Sequence, residues 1–166
     1  MSTVTYRRTL LPSGLLVLSE TLPDRASISV GAWVRHGARD EPDERSGISH
    51  FIEHMLFKGT ERRDARALAL SLESLGGHLD AFTAREQTCY YARALAEHLP
   101  ETVDVLADLV TRPRFAPEDI EREKDVVREE ISACEDDPED KANEILARLV
   151  WGGHPLGRPI LGNAHS

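Results

Sequence analysis

Cysteine is scarce in this chain. Cys89 and Cys134 are the only two, and they lie far apart in sequence. Two such residues make no disulfide framework, so a reducing, cytoplasmic setting is the expectation. Long apolar runs are missing as well. The N-terminal stretch through Tyr6-Arg7-Arg8 leads into nothing long enough for a signal peptide, and no segment reaches membrane-spanning length. Basic residues are outnumbered, 20 Lys and Arg against 29 Asp and Glu, for a net charge of −9. That balance argues against nucleic acid as a partner and is compatible with basic peptides. Internal repeats and low-complexity segments are also lacking. What remains is 166 residues, 40% hydrophobic and 30% charged, enough for one globular domain with a core of its own.

The stretch from Ser46 to Thr60 organises the rest. It contains His50-Phe51-Ile52-Glu53-His54, and residues 48–58 carry neither Pro nor Gly, so they read as a helix. Positions three and four apart share a helix face. His50 and His54 can therefore address one metal ion with Glu53 beside them. Two neutral imidazoles suit zinc, and a carboxylate that is not a ligand can take a proton from an activated water. This is the H-x-x-E-H arrangement of inverzincins. The plainer reading is two histidines met by chance on a buried helix. But Ile48, Phe51, Ile52, Met55, Leu56 and Phe57 surround the three polar groups, and buried polar groups need partners. A metal supplies them.

The remaining pattern predicts strands over residues 3–11 and 15–21 around Pro12-Ser13-Gly14, then over 26–35, 78–83 and 88–95. It predicts helices over 61–75, 100–111, 117–134 and 137–150. Val103, Leu106, Ala107 and Val110 are expected inward on the third of the five helices. The order predicts an α+β fold with a largely antiparallel sheet packed with helices.

Two histidines leave a catalytic zinc site one protein ligand short. On the helix from Pro117, the residues Ile120, Glu123, Val127, Glu130 and Cys134 form one stripe at steps of three and four. Its apolar members face it inward, and buried Glu is rare without a partner. Glu129 lies about 100° round the helix from Glu130 and falls outside the stripe. Glu130 is the expected third ligand, and Glu123 the residue that orients a ligand from behind. The alternative is two glutamates bonded to Arg or Lys across the core.

Taken together, the segments resemble the pitrilysin (M16) zinc metallopeptidases. Gly31-Ala32-Trp33-Val34 through Gly37-Ala38-Arg39-Asp40-Glu41 resembles the strand and loop before the family's zinc helix. The run from Ser49 to Thr60 is similar to its most diagnostic segment. Gly76-Gly77 to Tyr91, Val126 to Ile131, and His154-Pro155-Leu156-Gly157-Arg158-Pro159-Ile160-Leu161-Gly162 also fit. The resemblance implies zinc on His50, His54 and Glu130, with Glu53 as general base. It implies that Glu123 is the family's additional acidic residue near the site. It further implies that Asp80, Ala81, Phe82 and Thr83 receive an extended peptide substrate along an edge strand. Asp80 departs from the family's usual Asn, and an ionised Asp accepts but does not donate. Family enzymes have two homologous halves. Residues 1–166 therefore read as one N-terminal catalytic domain, truncated, whose partner is a homologous C-terminal half, a second subunit or another copy. The expected function is a zinc endopeptidase. A non-catalytic partner subunit is the alternative, and a lyase of S-ribosylhomocysteine, with Cys134 as third ligand, is a more distant one.

Overall fold

A computed structural model describes residues 4–163. The chain opens with β1 (Thr5–Leu10) and β2 (Leu16–Thr21), an antiparallel hairpin that forms a two-stranded sheet by itself. Next comes β3 (Ser27–Val34), and later β4 (His78–Thr83) and β5 (Thr88–Leu95). These three form a second sheet in the order β3-β5-β4, antiparallel throughout. The α+β class is as expected, with the five strands divided between two sheets. The start of the first expected strand, Thr3, lies outside the described residues.

β5 is the middle strand, so both its edges are bonded, and most of its residues are buried. Against this sheet pack α1 (Ile48–Leu56), α2 (Ala65–Glu73) and α3 (Leu99–Thr111). Leu56, Leu68, Leu72, Tyr90, Ala92, Val105, Leu106 and Leu109 form the core cluster. α4 (Pro117–Asp136) lies on α1, and α5 (Pro138–Trp151) folds back on α4. Asp137 caps α5 by accepting from the N–H groups of Glu139 (2.8 Å) and Asp140 (3.2 Å), with Pro138 at the first helical position. Among the described residues, no helix is long and apolar enough to cross a membrane.

Two expectations need correction. α2 starts at Ala65, four residues later than the pattern suggested. Asp64 caps it by accepting from Ala67 N–H at 2.7 Å, and the residues before it form a turn closed by Thr60 N–H on the Arg63 carbonyl at 2.7 Å. In α3, Val103 and Ala107 are exposed, and the buried side is Thr102, Val105, Leu106, Asp108 and Leu109. Asp108 explains the rotation. It is fully buried and accepts from Thr60 Oγ1 (2.7 Å) and from Arg63 (2.5 Å). The apolar spacing of α3 alone gives no sign of Asp108, whose partners lie on a distant turn.

Burial alone would raise the Asp108 carboxyl, but the bonds from Thr60 and Arg63 outweigh it and hold it below its ordinary value. Neighbouring Asp104, bonded by Arg62 and Arg63, is held down at about 2. Both folded values lie below the unfolded 3.8. This contribution to stability is therefore complete above that pH, and Asp104's share is lost as pH falls through about 2. Asp108→Ala should destabilise the protein by about 3 kcal/mol, because it strands a buried donor and a guanidinium. Asp125→Ala, at an exposed pair with Arg128, should cost under about 1 kcal/mol. Denaturant midpoints for the two variants check this, and equal shifts would refute it.

Candidate metal centre and catalytic groove

The centre is built on the start of α1. Gly47, its N-cap, has φ 93°, and a Cβ there would meet the Leu161 carbonyl at 2.4 Å. Gly162, at φ 77°, lies against the Ser46 carbonyl in the same way. This crossing pins the tail segment to the helix entrance. With no side-chain cap at Gly47, the free N–H groups of the first turn are satisfied from elsewhere. The buried carboxylate of Glu41 accepts from Gly47 N–H and Ser49 N–H, each at 2.7 Å. A negative charge at this end also suits the helix dipole. Arg158 donates to the Glu41 carbonyl at 2.5 Å and pairs with Asp43. The one signal of this role in the sequence is an acid six residues before the N-cap of a helix that lacks a side-chain cap.

One turn apart on α1, His50 and His54 present their Nε2 atoms to each other at 3.2 Å. From α4, Glu130 Oε2 lies 3.5 Å from His54 Nε2 and 3.8 Å from His50 Nε2. One ligand atom from each of the three lies within 4.8 Å of the others, so the group could hold a metal ion. A tetrahedral zinc with bonds of about 2.0–2.2 Å needs ligand atoms about 3.3–3.6 Å apart. The three spacings straddle that range, so the donor set fits zinc. Glu129 is exposed, and Glu123 and Val127 on the expected stripe are buried. The Cys134 thiol sits 3.9 Å from Glu144 Oε1 and is not one of the three converging groups.

Charge states follow from the partners. His54 Nδ1 is 2.8 Å from Glu123 Oε1. An ionised carboxylate only accepts, so Nδ1 carries a proton and Nε2 is the ring nitrogen turned to the centre. Glu123 Oε2 in turn receives Lys58 Nζ at 2.6 Å. Burial pushes the Glu123 carboxyl up, but the bonds from Lys58 and His54 bring it below its ordinary value. Burial, with His54 beside it, lowers His50 to about 4, so its imidazole is neutral at physiological pH. Its Nδ1 is buried without a hydrogen-bond partner among the described residues, and Nε2 is the nitrogen turned to the centre.

Glu53 stands apart from the three. Its Oε2 accepts from Thr83 Oγ1 of β4 at 2.5 Å. Burial raises its carboxyl, the Thr83 bond and His54 oppose that, and nearby Asp80 and Glu130 add to it, with a net upward shift. His50, Glu53, Glu130, Phe82, Thr83 and Arg85 line one open groove of about 760 Å³. β4 is the outer strand of its sheet, bonded only to β5, so it presents a free backbone edge among the described residues. Ala81 is half-buried, and Phe82 is exposed between Trp33 and Tyr91. The Asp80 carboxylate is committed within the chain, accepting from Tyr91 OH (2.9 Å) and Ala81 N–H (2.8 Å).

A small antiparallel α+β scaffold with two imidazoles and a carboxylate converging beside a separate, partly buried carboxyl has the design of a metal-dependent hydrolase domain. Residues 16–164 match the family described as Insulinase (Peptidase family M16), and the chain belongs to that family. It is similar to a protein of Mycobacterium tuberculosis described as an uncharacterized zinc protease, at 49% identity over 160 residues, covering 96% of this chain and 36% of that one. It is also similar to a probable mitochondrial-processing peptidase subunit beta of Arabidopsis thaliana, at 42% identity over 160 residues, covering 96% of this chain and 30% of that one. The crystal structure of a protease from Helicobacter pylori shares the fold, with a TM-score of 0.91 at 23% identity over 98% of this chain and 39% of that one. The chain thus spans about a third of the length of the curated relatives it matches.

The geometry distinguishes neighbours on α4. Glu130→Gln should weaken zinc binding by about 100-fold or more, whereas Glu129→Gln should leave it within about twofold, since loss of a direct ligand exceeds the 10–100-fold typical of an outer partner. Chelator competition measures both, and equal losses would reject Glu130 as the ligand.

Proposed function

We propose that this chain supplies the metal centre and one wall of the substrate groove of a zinc-dependent endopeptidase. The observation that carries the reading is the convergence of His50, His54 and Glu130 from two helices, with Glu53 in the same groove but outside the cluster. The three residues would hold zinc, which would supply a Lewis acid that makes water nucleophilic near neutral pH. Glu53 would take a proton from a water in the groove as its oxygen adds to the scissile carbonyl carbon, and would deliver that proton to the amine nitrogen as the C–N bond breaks. A carboxyl raised above its ordinary value suits both transfers. Thr83 holds the Glu53 carboxylate in place from the edge strand.

The peptide lies extended along the free edge of β4, its backbone bonding to residues Ala81 to Thr83. Asp80 flanks this edge with its carboxylate already held by Tyr91, so it shapes the strand and adds negative charge without donating. Asp137, Asp140 and Glu144 also line the groove, with Arg85 as a cation among them. A groove of that polarity favours peptides with basic residues near the cleaved bond. Two unpaired cysteines suit a reducing, cytoplasmic setting.

Gripping a peptide needs a second wall to orient it and exclude water. The chain covers about a third of its relatives' length, and the Arabidopsis relative is by name a subunit. The side chains of β1 and β2 are exposed, among them Tyr6, Leu10, Leu16 and Leu18, and a two-stranded hairpin is marginal without support. We therefore assign this chain an N-terminal role beside a homologous half or partner subunit.

Glu53→Gln in the whole protein is the test. It should keep zinc and lower peptide turnover by about 100-fold or more, the range for losing a general base. Retained turnover would overturn the mechanism, and lost zinc would make Glu53 a ligand. Wild-type protein that holds zinc yet cleaves nothing in a broad peptide library would favour a non-catalytic subunit.

A further inference from the structure

We infer that Lys58 is a positioning residue of the metal centre, fixing His54 through the carboxylate of Glu123. The inference rests on the zinc reading above. Lys58 follows the end of α1, its N–H bonded to the Met55 carbonyl at 3.1 Å, and His54 is in the last turn of the same helix. Both side chains reach one residue of α4. Glu123 Oε1 meets His54 Nδ1 at 2.8 Å, and Glu123 Oε2 meets Lys58 Nζ at 2.6 Å. The carboxylate is buried, whereas Lys58 is about one-third exposed.

Each oxygen of Glu123 thus has one cationic or N–H partner, and the two partners define the plane of the group. Removing the ammonium leaves Oε2 buried without a donor, and such an atom is costly. The carboxylate then turns to share its remaining partner or to reach water. Either motion takes Oε1 off the line to His54 Nδ1. That bond selects the tautomer with the proton on Nδ1. When it is lost, the tautomer with the proton on Nε2 gains population, and Nε2 is the atom 3.2 Å from His50 Nε2 and 3.5 Å from Glu130 Oε2. A proton there blocks a metal ligand. Lys58 also ties α1 to α4, but the two helices are in direct contact, and buried Val127 belongs to the same stripe of α4 as Glu123.

The experiment compares wild type, Lys58→Met and Lys58→Arg in the whole protein. Zinc affinity is read by chelator competition, and the His54 tautomer by nitrogen NMR of the metal-free protein with labelled histidine. Lys58→Met should weaken zinc about 10- to 100-fold, as expected for an outer partner of a ligand, and should shift His54 away from the Nδ1-protonated form. Lys58→Arg should restore most of both. Unchanged affinity and tautomer in Lys58→Met would overturn the proposal. So would a lowered unfolding midpoint with zinc affinity and tautomer intact, since that marks a helix clamp only. If Lys58→Met does not fold, Lys58→Ala, which also removes the donor to Glu123 Oε2, takes its place with the same expected losses. Failure of wild type to bind zinc would sink the zinc reading, while the His54 tautomer in metal-free protein would still decide whether Lys58 sets the ring.

Discussion

Everything at this site depends on holding two helices so that three side-chain atoms, two nitrogens on α1 and one oxygen on α4, stay between 3.2 and 3.8 Å apart. α1 alone supplies the histidine pair, because four residues make about one turn. The distance to Glu130 is a tertiary matter. It is set by the packing of α1 on α4, by the Glu123 bond to His54, and by the crossing of Gly47 with Gly162 at the helix entrance. Each device acts at a different point along α1. Glu41 fixes its first turn, and the pair of Lys58 with Glu123 ties down the chain two residues beyond Leu56, its last residue.

The buried carboxylates show one physical rule applied with different results. Glu41, Asp108 and Glu123 are all removed from water and all bonded by backbone N–H groups, hydroxyls or cations. Desolvation is then offset by charge-assisted bonds, and Asp108 and Glu123 stay below their ordinary carboxyl range. Glu53 has one hydroxyl partner, Thr83, and carboxylates nearby, so its carboxyl moves upward instead. Three of these carboxylates are anchored on several donors, and the fourth is held by a single hydroxyl. That contrast separates Glu53 from Glu123 more firmly than spacing does.

The convergence of the candidate site was legible in the order of residues because helix geometry converts spacing into direction. His50, Glu53 and His54 followed from steps of three and four. Glu130 and Glu123 followed from an inward stripe that Glu129 does not join. The strands were equally plain, since β3 alternates half-buried and exposed residues along most of its length. What escaped was set by contacts between distant segments. Asp108 turns α3 inward on a polar residue because Thr60 and Arg63, some 45 residues earlier, meet it. Glu41 and Lys58 read as loop and helix-end charges until the elements they bond are in place. The division of the strands into two sheets also lay beyond local pattern, because pairing depends on which edges the helices bring together.

Anomalous diffraction at the zinc edge, on crystals of the whole protein grown with zinc, tests the central claim most directly. The account predicts one strong peak about 2.0–2.2 Å from His50 Nε2, His54 Nε2 and a Glu130 oxygen, with Glu53 outside bonding distance. A peak ligated by Cys134 or Glu53, or no peak in the groove under saturating zinc, would contradict it.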